Sequence, residues 1–140
     1  DNVSIGRNVS IICTGVIAHV GEGITIGHGV GINDNVYLGA QGHISIGDNV
    51  IIGPGARIFS ENHVFSDTTV PIKAQGVTRK GVKIGHDCWI GSGAVILDGV
   101  EIGSGCVIAA SSVVTKSFPT NSVIGGVPAK LIKNRDHEKI

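Results

Sequence analysis

The 140-residue sequence has few aromatic residues, no methionine and very little leucine. Aromatic residues make up 4% of the chain, and three leucines stand against 21 isoleucines and 18 valines. Leucine, methionine, glutamate and lysine favour helices, whereas β-branched residues favour strands. The composition therefore argues against a bundle of amphipathic helices, and it predicts one all-β domain whose core is filled by thin aliphatic side chains.

Three further absences narrow the class of protein. The formal net charge is zero, whereas a general nucleic-acid binder usually carries a strong basic excess. No apolar run reaches about 18 residues and no signal peptide is visible, so we expect no membrane span and a cytoplasmic location. The three cysteines, an odd number without framework spacing, predict free thiols in a reducing compartment.

Glycine, by contrast, is abundant with 22 residues, and it accompanies a repeat with a period of six residues. The residue two before each anchor of this repeat is small or apolar, and side chains two apart in a strand share a face. Each row is therefore predicted to be a short strand with two inward side chains. The fifteen anchors, thirteen Ile, one Leu and one Val, are Ile5, Ile11, Ile17, Ile26, Ile32, Leu38, Ile46, Ile52, Ile58, Ile84, Ile90, Ile96, Ile102, Ile108 and Val114.

A period of six residues is too short for a repeat that contains a helix, and it fits a parallel β-helix. Three rows would complete one triangular coil, and about five coils stacked at the strand spacing of about 4.8 Å would form a prism roughly 24 Å long. The alternative is a sandwich of short strands, but sandwich strands recur about every 8–12 residues and have irregular loops.

Three interruptions of the repeat are predicted to leave the prism at one edge. The extra residues number three, two and twenty, and they follow the anchors Ile17, Leu38 and Ile58, each the third of its coil. Loops on a rigid scaffold often carry function, and the longest excursion is long enough to be functional by its length alone. We therefore expect the site at this edge. The excursions carry His19, His43 and His63.

Taken together, several motifs resemble the hexapeptide-repeat acyltransferases. They are the isoleucine–glycine repeat, the excursion with Asn62-His63, residues 84–93 (IGHDCWIGSG), residues 114–116 (VTK) and residues 123–130 (VIGGVPAK). The resemblance covers nearly the whole chain and points to the branch with galactoside, maltose and polysaccharide O-acetyltransferases. It implies a left-handed β-helix, a homotrimer with active sites between neighbouring prisms, and acetyl-CoA as the donor.

His63 is the candidate general base. Moving an acetyl group from a thioester to a hydroxyl requires a base, a hydrogen-bond donor that stabilises the tetrahedral oxyanion, and a means of holding both substrates. Histidine is the usual base because its pKa lies near physiological pH, and the resemblance matches His63 to the family's catalytic histidine. Glu61, Asp67 or a backbone carbonyl could orient its ring. The alternative is a surface-loop histidine with no catalytic role.

Asn33 is the candidate for holding the acceptor hydroxyl. It follows the anchor Ile32 at a place where other rows often carry glycine, and the family has an asparagine at the matching distance before its catalytic histidine. The alternative is an ordinary turn asparagine beside Asp34-Asn35.

The candidate donor site begins at Trp89, the only tryptophan. Trp89 adjoins an inward anchor and should point outward, where a lone aromatic side chain usually marks an interface or a ligand wall, although simple packing would also suit it. The resemblance adds Ser92, whose backbone N–H faces the thioester oxygen. The pantetheine arm of the donor suits a groove parallel to the stacked coils, where a small residue such as Ala110 lets it approach backbone amides.

Basic residues near the end of the chain complete the candidate donor site. The family's donor-site positions are matched here by Thr115, Lys116, Lys130 and Lys133. The positive charges of the three lysines can pair with phosphates, although the family often has arginine where Lys130 and Lys133 stand. Solvated surface lysines are the alternative.

The sequence thus predicts a β-helix acyltransferase domain at residues 1–117, with the long excursion at 60–82, and a C-terminal tail at 118–140. The predicted activity is acetyl transfer from acetyl-CoA to a hydroxyl of a saccharide, polysaccharide precursor or sugar nucleotide. Galactoside and maltose relatives carry a helical segment before the repeat, whereas this chain begins almost inside it, so their acceptor is not carried over. No metal, nucleic-acid or membrane partner is expected.

Three other functions stay open. The first is N-acetylation of an amino sugar. The second is a zinc carbonic anhydrase-like β-helix, which needs three zinc-binding histidines, two of them closely spaced on one coil, and His86 has no such partner. The third is a non-catalytic β-helix, which would not need the VTK and GVPAK segments.

Overall fold

The computed structural model describes residues 1–137, which wind into a left-handed parallel β-helix of triangular cross-section. The predicted fold class is confirmed. This part of the chain contains no α-helix, only 3-10 turns at Ile72–Ala74 and Arg135–His137, and none of its helices is long and apolar enough to cross a membrane. Residues 138–140 of the predicted tail lie outside the described residues.

Residues 1–137 form eighteen strands, most of them two or three residues long. In chain order they are β1 (Ser4–Ile5), β2 (Ser10–Ile12), β3 (Ile24–Ile26), β4 (Gly31–Ile32), β5 (Tyr37–Gly39), β6 (Ile44–Ile46), β7 (Ile51–Ile52), β8 (Arg57–Phe59), β9 (Asn62–His63), β10 (Val77–Thr78), β11 (Val82–Ile84), β12 (Trp89–Ile90), β13 (Val95–Ile96), β14 (Glu101–Ile102), β15 (Val107–Ile108), β16 (Val113–Val114), β17 (Ser122–Gly126) and β18 (Ala129–Asn134).

Three parallel sheets form the walls of the prism, which we call faces A, B and C. Face A has the order β1-β4-β7-β12-β15-β17, with β18 added antiparallel at its end; face B is β2-β5-β8-β13-β16; and face C is β3-β6-β11-β14. The chain passes from C to A to B in each coil, so equivalent anchors stack: Ile32 pairs with Ile52 on face A. Edges AB, BC and CA are the corners where consecutive faces meet.

The corners turn tightly because their third residue adopts a left-handed backbone conformation. Asn35 and Asn49 have φ of 60° and 56°, and Gly55 and Gly93 have φ of 70° and 67°. Asparagine and glycine tolerate this region far better than β-branched residues do. Asparagine and glycine therefore supply the tight turns at the corners of the prism.

The core is a column of anchor side chains running along the prism. Leu38, Ile58 and Ile96 on face B are fully buried, and burying an aliphatic side chain of this size contributes about 1.5–3 kcal/mol. Cys88 and Cys106 lie on the inner wall and are unbridged. The hydrogen bond with Cys106, together with burial, raises the pKa of the Cys88 thiol. These cysteines fill space as small apolar side chains.

Ile17 does not form a row, contrary to the count of fifteen anchors. Its side chain is 104% exposed, at a turn closed by a bridge between Val16 and His19. A side chain on Gly15 would collide with the carbonyl oxygen of His19. The two legs of this turn therefore close on each other and lift Ile17 away from the core.

The loss of this row shifts the first coil. Ile5 pairs with Ile32 on face A, and Ile11 pairs with Leu38 on face B, one row later than the sequence count implies. The first excursion thus spans residues 13–23.

Two rows near the C-terminus are out of phase with the fifteen anchors, because the step from Val114 to Phe118 is four residues long instead of six. Phe118 is buried four residues after Val114 and bridges to Ile102 on face C. Ile124 in β17 is fully buried and extends face A beyond Ile108. The prism therefore continues into the segment that the sequence assigns to the tail, and the division at 117/118 stays a prediction.

All three excursions leave the prism at edge BC, as the sequence predicts. They occupy residues 13–23, 40–43 and 60–81, each between a strand of face B and the next strand of face C. Edges AB and CA carry only short turns. The long excursion is therefore held against two shorter ones rather than projecting alone.

Candidate active site

The long excursion forms a two-stranded antiparallel ribbon that carries His63. Val77 pairs with His63 and Thr78 with Asn62. Beyond this pair, the amide of Val64 donates to the carbonyl oxygen of Gly76 at 3.0 Å. The His63 side chain is exposed, and its imidazole has no hydrogen-bond partner among residues 1–137. It is therefore accessible to a substrate.

The two acids that the sequence offered for orienting His63 are bonded to other groups. Asp67 accepts hydrogen bonds from the hydroxyl of Thr69 at 2.6 Å and from its amide at 2.8 Å, and these bonds lower the pKa of the Asp67 carboxyl. Glu61 Oε2 accepts a hydrogen bond from Arg79 Nε at 2.8 Å. Neither carboxylate contacts the His63 ring.

The other two histidines of the excursions have different environments. His43 is half-buried, and its Nε2 lies 3.1 Å from Thr25 Oγ1. His19 is exposed, and its backbone forms the turn with Val16. His63 is thus the histidine that the ribbon presents.

A second group of candidate residues lies at edge AB, on the far side of face B from the excursions. The corner turns after β4, β12 and β15 carry Asn33, Ser92 and Ala110. Asn33 Nδ2 donates to the carbonyl oxygen of Ile52 at 2.8 Å, which leaves Oδ1 free to accept from a hydroxyl. The Ser92 hydroxyl donates to the carbonyl oxygen of Pro54 at 2.8 Å and so points along the edge.

At edge AB the backbone amides of Asp34, Ser92 and Ala110 have no acceptor within residues 1–137. Glycines one coil away keep them close to the next coil. A Cβ on Gly53 would lie 2.7 Å from the Ser92 nitrogen, and one on Gly91 would lie 2.6 Å from the Ala110 nitrogen. Donors spaced at the strand repeat of about 4.8 Å suit a series of ligand oxygens or a developing oxyanion.

The remaining candidates flank these two groups. Trp89 is 55% exposed on the outer side of face A. Lys130 and Lys133 lie on β18, opposite Gly125 and Val123, and both side chains are exposed.

Thr115 and Lys116 follow β16 at edge BC. Lys116 Nζ lies 5.6 Å from the centroid of the Phe118 ring, a cation–π contact that positions the ammonium group.

Within one chain the candidate residues therefore divide into two groups separated by face B. His63, Thr115 and Lys116 lie at edge BC; the other group, at edge AB and on face A, comprises Asn33, Trp89, Ser92, Ala110, Lys130 and Lys133. Residues 1–137 hold no cluster of three or more His, Cys, Asp and Glu side chains that could bind a metal ion.

Comparison with known proteins identifies the family. The model of the family described as bacterial transferase hexapeptide (six repeats) matches residues 81–116. A hexapeptide-repeat acetyltransferase from Vibrio cholerae, solved with acetyl coenzyme A, has a TM-score of 0.77 and 32% identity, covering 94% of this chain and 70% of that one. The chain belongs to the hexapeptide-repeat acyltransferases. The resemblance inferred from the motifs is thereby confirmed.

Relatives with saccharides in their names are among the members of this family. A maltose O-acetyltransferase from Clostridium difficile has a TM-score of 0.77 and 33% identity, covering 95% of this chain and 70% of that one. The galactoside O-acetyltransferase of Escherichia coli is 35% identical over 126 residues, 85% of this chain and 58% of that protein. The chain spans about half the length of the curated relatives it matches.

Proposed function

We propose that this member of the hexapeptide-repeat family is an acetyl-CoA-dependent O-acetyltransferase of the cytoplasm, which acts on a saccharide, a polysaccharide precursor or a sugar nucleotide. The observation that carries the proposal is the presence of two incomplete half-sites on the edges that flank face B. Edge BC presents a base, and edge AB presents hydrogen-bond donors. The acetyl-CoA bound by the Vibrio relative and the names of the maltose and galactoside relatives support the donor and the acceptor class.

Two half-sites on one chain become a whole site when copies pack in a ring. Edge BC of one copy then meets edge AB of the next, a head-to-tail contact that closes under cyclic symmetry. Face B, between the two edges, turns toward the axis of the ring. With three copies, as the resemblance implies, the homotrimer has three such sites.

The reaction then follows from the groups that meet there. Asn33 Oδ1 holds the acceptor hydroxyl, and the His63 imidazole takes its proton as the oxygen attacks the thioester carbonyl carbon. The backbone N–H of Ser92 donates to the oxyanion of the tetrahedral intermediate. When the carbon–sulfur bond breaks, the imidazolium returns the proton to the CoA thiolate, and the acetyl ester leaves.

The other candidates bind the donor. The pantetheine arm lies along edge AB past the amide of Ala110, with Trp89 as a wall. The phosphates pair with the ammonium groups of Lys116, Lys130 and Lys133, and the Thr115 hydroxyl adds a hydrogen bond.

The test is release of free CoA thiol from acetyl-CoA in the presence of a panel of sugars, sugar nucleotides and amino sugars. We expect turnover with hydroxyl acceptors and a loss of about a hundredfold or more in His63→Ala, given the usual contribution of a general base. His28→Ala is the matched control, because His28 is an exposed histidine on edge CA bonded to the amino group of Asp1. Turnover with amino sugars alone would show N-acetylation instead, and no turnover with any acceptor would contradict the proposal.

A further inference from the structure

We propose that Arg79 is a positioning residue for His63. Its guanidinium joins the ribbon that carries His63 to the first excursion, and so determines where the imidazole stands. The inference rests on the proposed function, because it concerns the base assigned there.

Arg79 is a buried arginine whose hydrogen bonds tie the long excursion to the first one; we call this set of contacts the tie. Its side chain is only 5% exposed, and its Nε donates to Glu61 Oε2 at 2.8 Å. Its Nη1 donates to the carbonyl oxygens of His19 and Val20 at 3.1 and 3.0 Å. Charge-assisted bonds from a planar guanidinium fix both distance and direction. One side chain therefore holds a carboxylate of the long excursion and two carbonyls of the first.

The register of the ribbon places this tie next to the base. Val77 pairs with His63 and Thr78 with Asn62, so the next position toward the prism places Arg79 beside Glu61. A ribbon of two residue pairs is marginal by itself in water. Its position therefore depends on contacts at its base, where the Arg79–Glu61 pair lies beside the hydrogen bonds that the Asp98 carboxylate accepts from the amides of Lys80 and Gly81.

The second excursion also meets this side chain. A Cβ on Gly42 would lie 3.1 Å from Arg79 Cβ, so the glycine leaves the space that the arginine stem occupies. The buried Ser60 hydroxyl lies 2.6 Å from the carbonyl oxygens of Gly39 and Gly42, which fixes the start of the long excursion against the second. All three excursions thus converge on Arg79.

The position of Arg79 predicts which kinetic constant depends on it. The groups of edge AB that are proposed to bind acetyl-CoA lie on the far side of face B in the same chain. Among residues 1–137 they share no hydrogen bond with Arg79. Arg79 makes none of the hydrogen bonds of the groups proposed to bind acetyl-CoA, so loss of the tie is expected to displace the base and leave those groups in place. A misplacement of about 1 Å in a reacting group can cost about a hundredfold in rate.

The experiment compares Arg79→Gln, Arg79→Lys and the control Lys83→Gln in the assembled protein. Lys83 forms an exposed ion pair with Glu101 at 3.7 Å on face C and makes no hydrogen bond to Arg79 or Glu61. We expect Arg79→Gln to lower kcat between about tenfold and a hundredfold while the calorimetric Kd for acetyl-CoA stays within about twofold. Arg79→Lys should recover part of kcat, because one ammonium can pair with Glu61 but cannot also reach both carbonyls. Lys83→Gln should match the unmodified protein.

Each alternative outcome has a definite meaning. Retention of kcat in Arg79→Gln, or equal losses of kcat and donor affinity, would overturn the inference. If Arg79→Gln fails to fold or assemble by circular dichroism and size-exclusion chromatography, Glu61→Gln decides, with a several-fold loss of kcat expected and an unchanged kcat against it. Failure of the proposed function is distinguishable, because the unmodified protein would then release no CoA.

Discussion

At the scale of the residue, edge AB depends on two glycines, which have no side chain. Gly53 and Gly91 have no Cβ, and this allows the coils to stack closely beside the amides of Ser92 and Ala110. A larger residue would force the backbone apart at the point where the donor groove is proposed. These glycines therefore matter for the site although neither offers a functional group.

Gly91→Ala is expected to impair donor binding. The new Cβ would lie 2.6 Å from both the Ala110 nitrogen and the Ile108 oxygen, so the coils must shift. Overpacking of this kind costs about 1–3 kcal/mol of unfolding free energy. Calorimetry with acetyl-CoA and denaturant unfolding should both show the loss. Wild-type affinity for the donor would mean that the groove lies elsewhere.

Lys116→Ala is expected to weaken donor binding more than turnover. Its ammonium group is held over the Phe118 ring, and the strand before it, β16, is two strands from β8, where the long excursion begins. Loss of a charge-assisted bond to phosphate costs about 1.5–3 kcal/mol, so the KM for acetyl-CoA should rise roughly tenfold or more. Lys83→Ala is the control. An unchanged donor KM would remove Lys116 from the site.

At the scale of the element, the sequence specified the rows better than it specified which face each row joins. Isoleucine at every sixth position fixed most strands, because only a side chain that returns to the core at that period repeats so strictly. The period is the same on every face, however, so Ile17 fits the spacing and yet lies at an exposed turn. Phe118 was missed for the converse reason, since it fills a row at a different spacing.

The candidate site shows the same division between what a sequence pattern can and cannot predict. The motif around Asn62-His63 singled out the ribbon, and the excursions were assigned to one edge. That Asn33 lies across face B from His63 depends on strand pairing, which local sequence does not encode. The contacts of Arg79 with the carbonyls of the first excursion join residues about sixty positions apart, and no spacing rule anticipates them.

The corrected register can be tested with two isoleucines. Ile58→Ala removes a fully buried anchor of face B, and we expect a loss of about 2–5 kcal/mol of unfolding free energy. Ile17→Ala changes a side chain that touches no core, and surface changes of this kind stay within about 0.5 kcal/mol. Chemical denaturation of both variants provides the measurement. Equal losses would restore Ile17 to the core.

At the scale of the whole molecule, the proposed function places each site between two copies. The half-sites at edges AB and BC lie on opposite sides of face B, so no single chain can bring them together. Dilution should therefore abolish turnover wherever it dissociates the ring, and activity should follow the assembled fraction.

Hybrid rings test this arrangement directly. His63→Ala leaves edge AB intact, and Asn33→Ala leaves edge BC intact. Coexpression in equal amounts should create some interfaces with both edges unmodified. Random assembly places the two required copies side by side at about a quarter of the interfaces, so the mixture should recover about a quarter of wild-type turnover. A mixture no more active than the mean of the two variants alone would show that each site lies within one chain.

The stacking of coils also sets fixed distances between equivalent positions along edge AB. Each coil adds one strand spacing of about 4.8 Å along edge AB, and hydrogen bonds between neighbouring strands set this spacing rather than any side chain. Asn33 and Ser92 are two strand spacings apart, and Ala110 is one spacing further. Deleting one complete coil between Ser92 and β18 would shorten the distance from Ser92 to the lysines of β18 by one strand spacing. The position of His63 would not change. The length of the donor that fits is thus counted in whole turns of the chain.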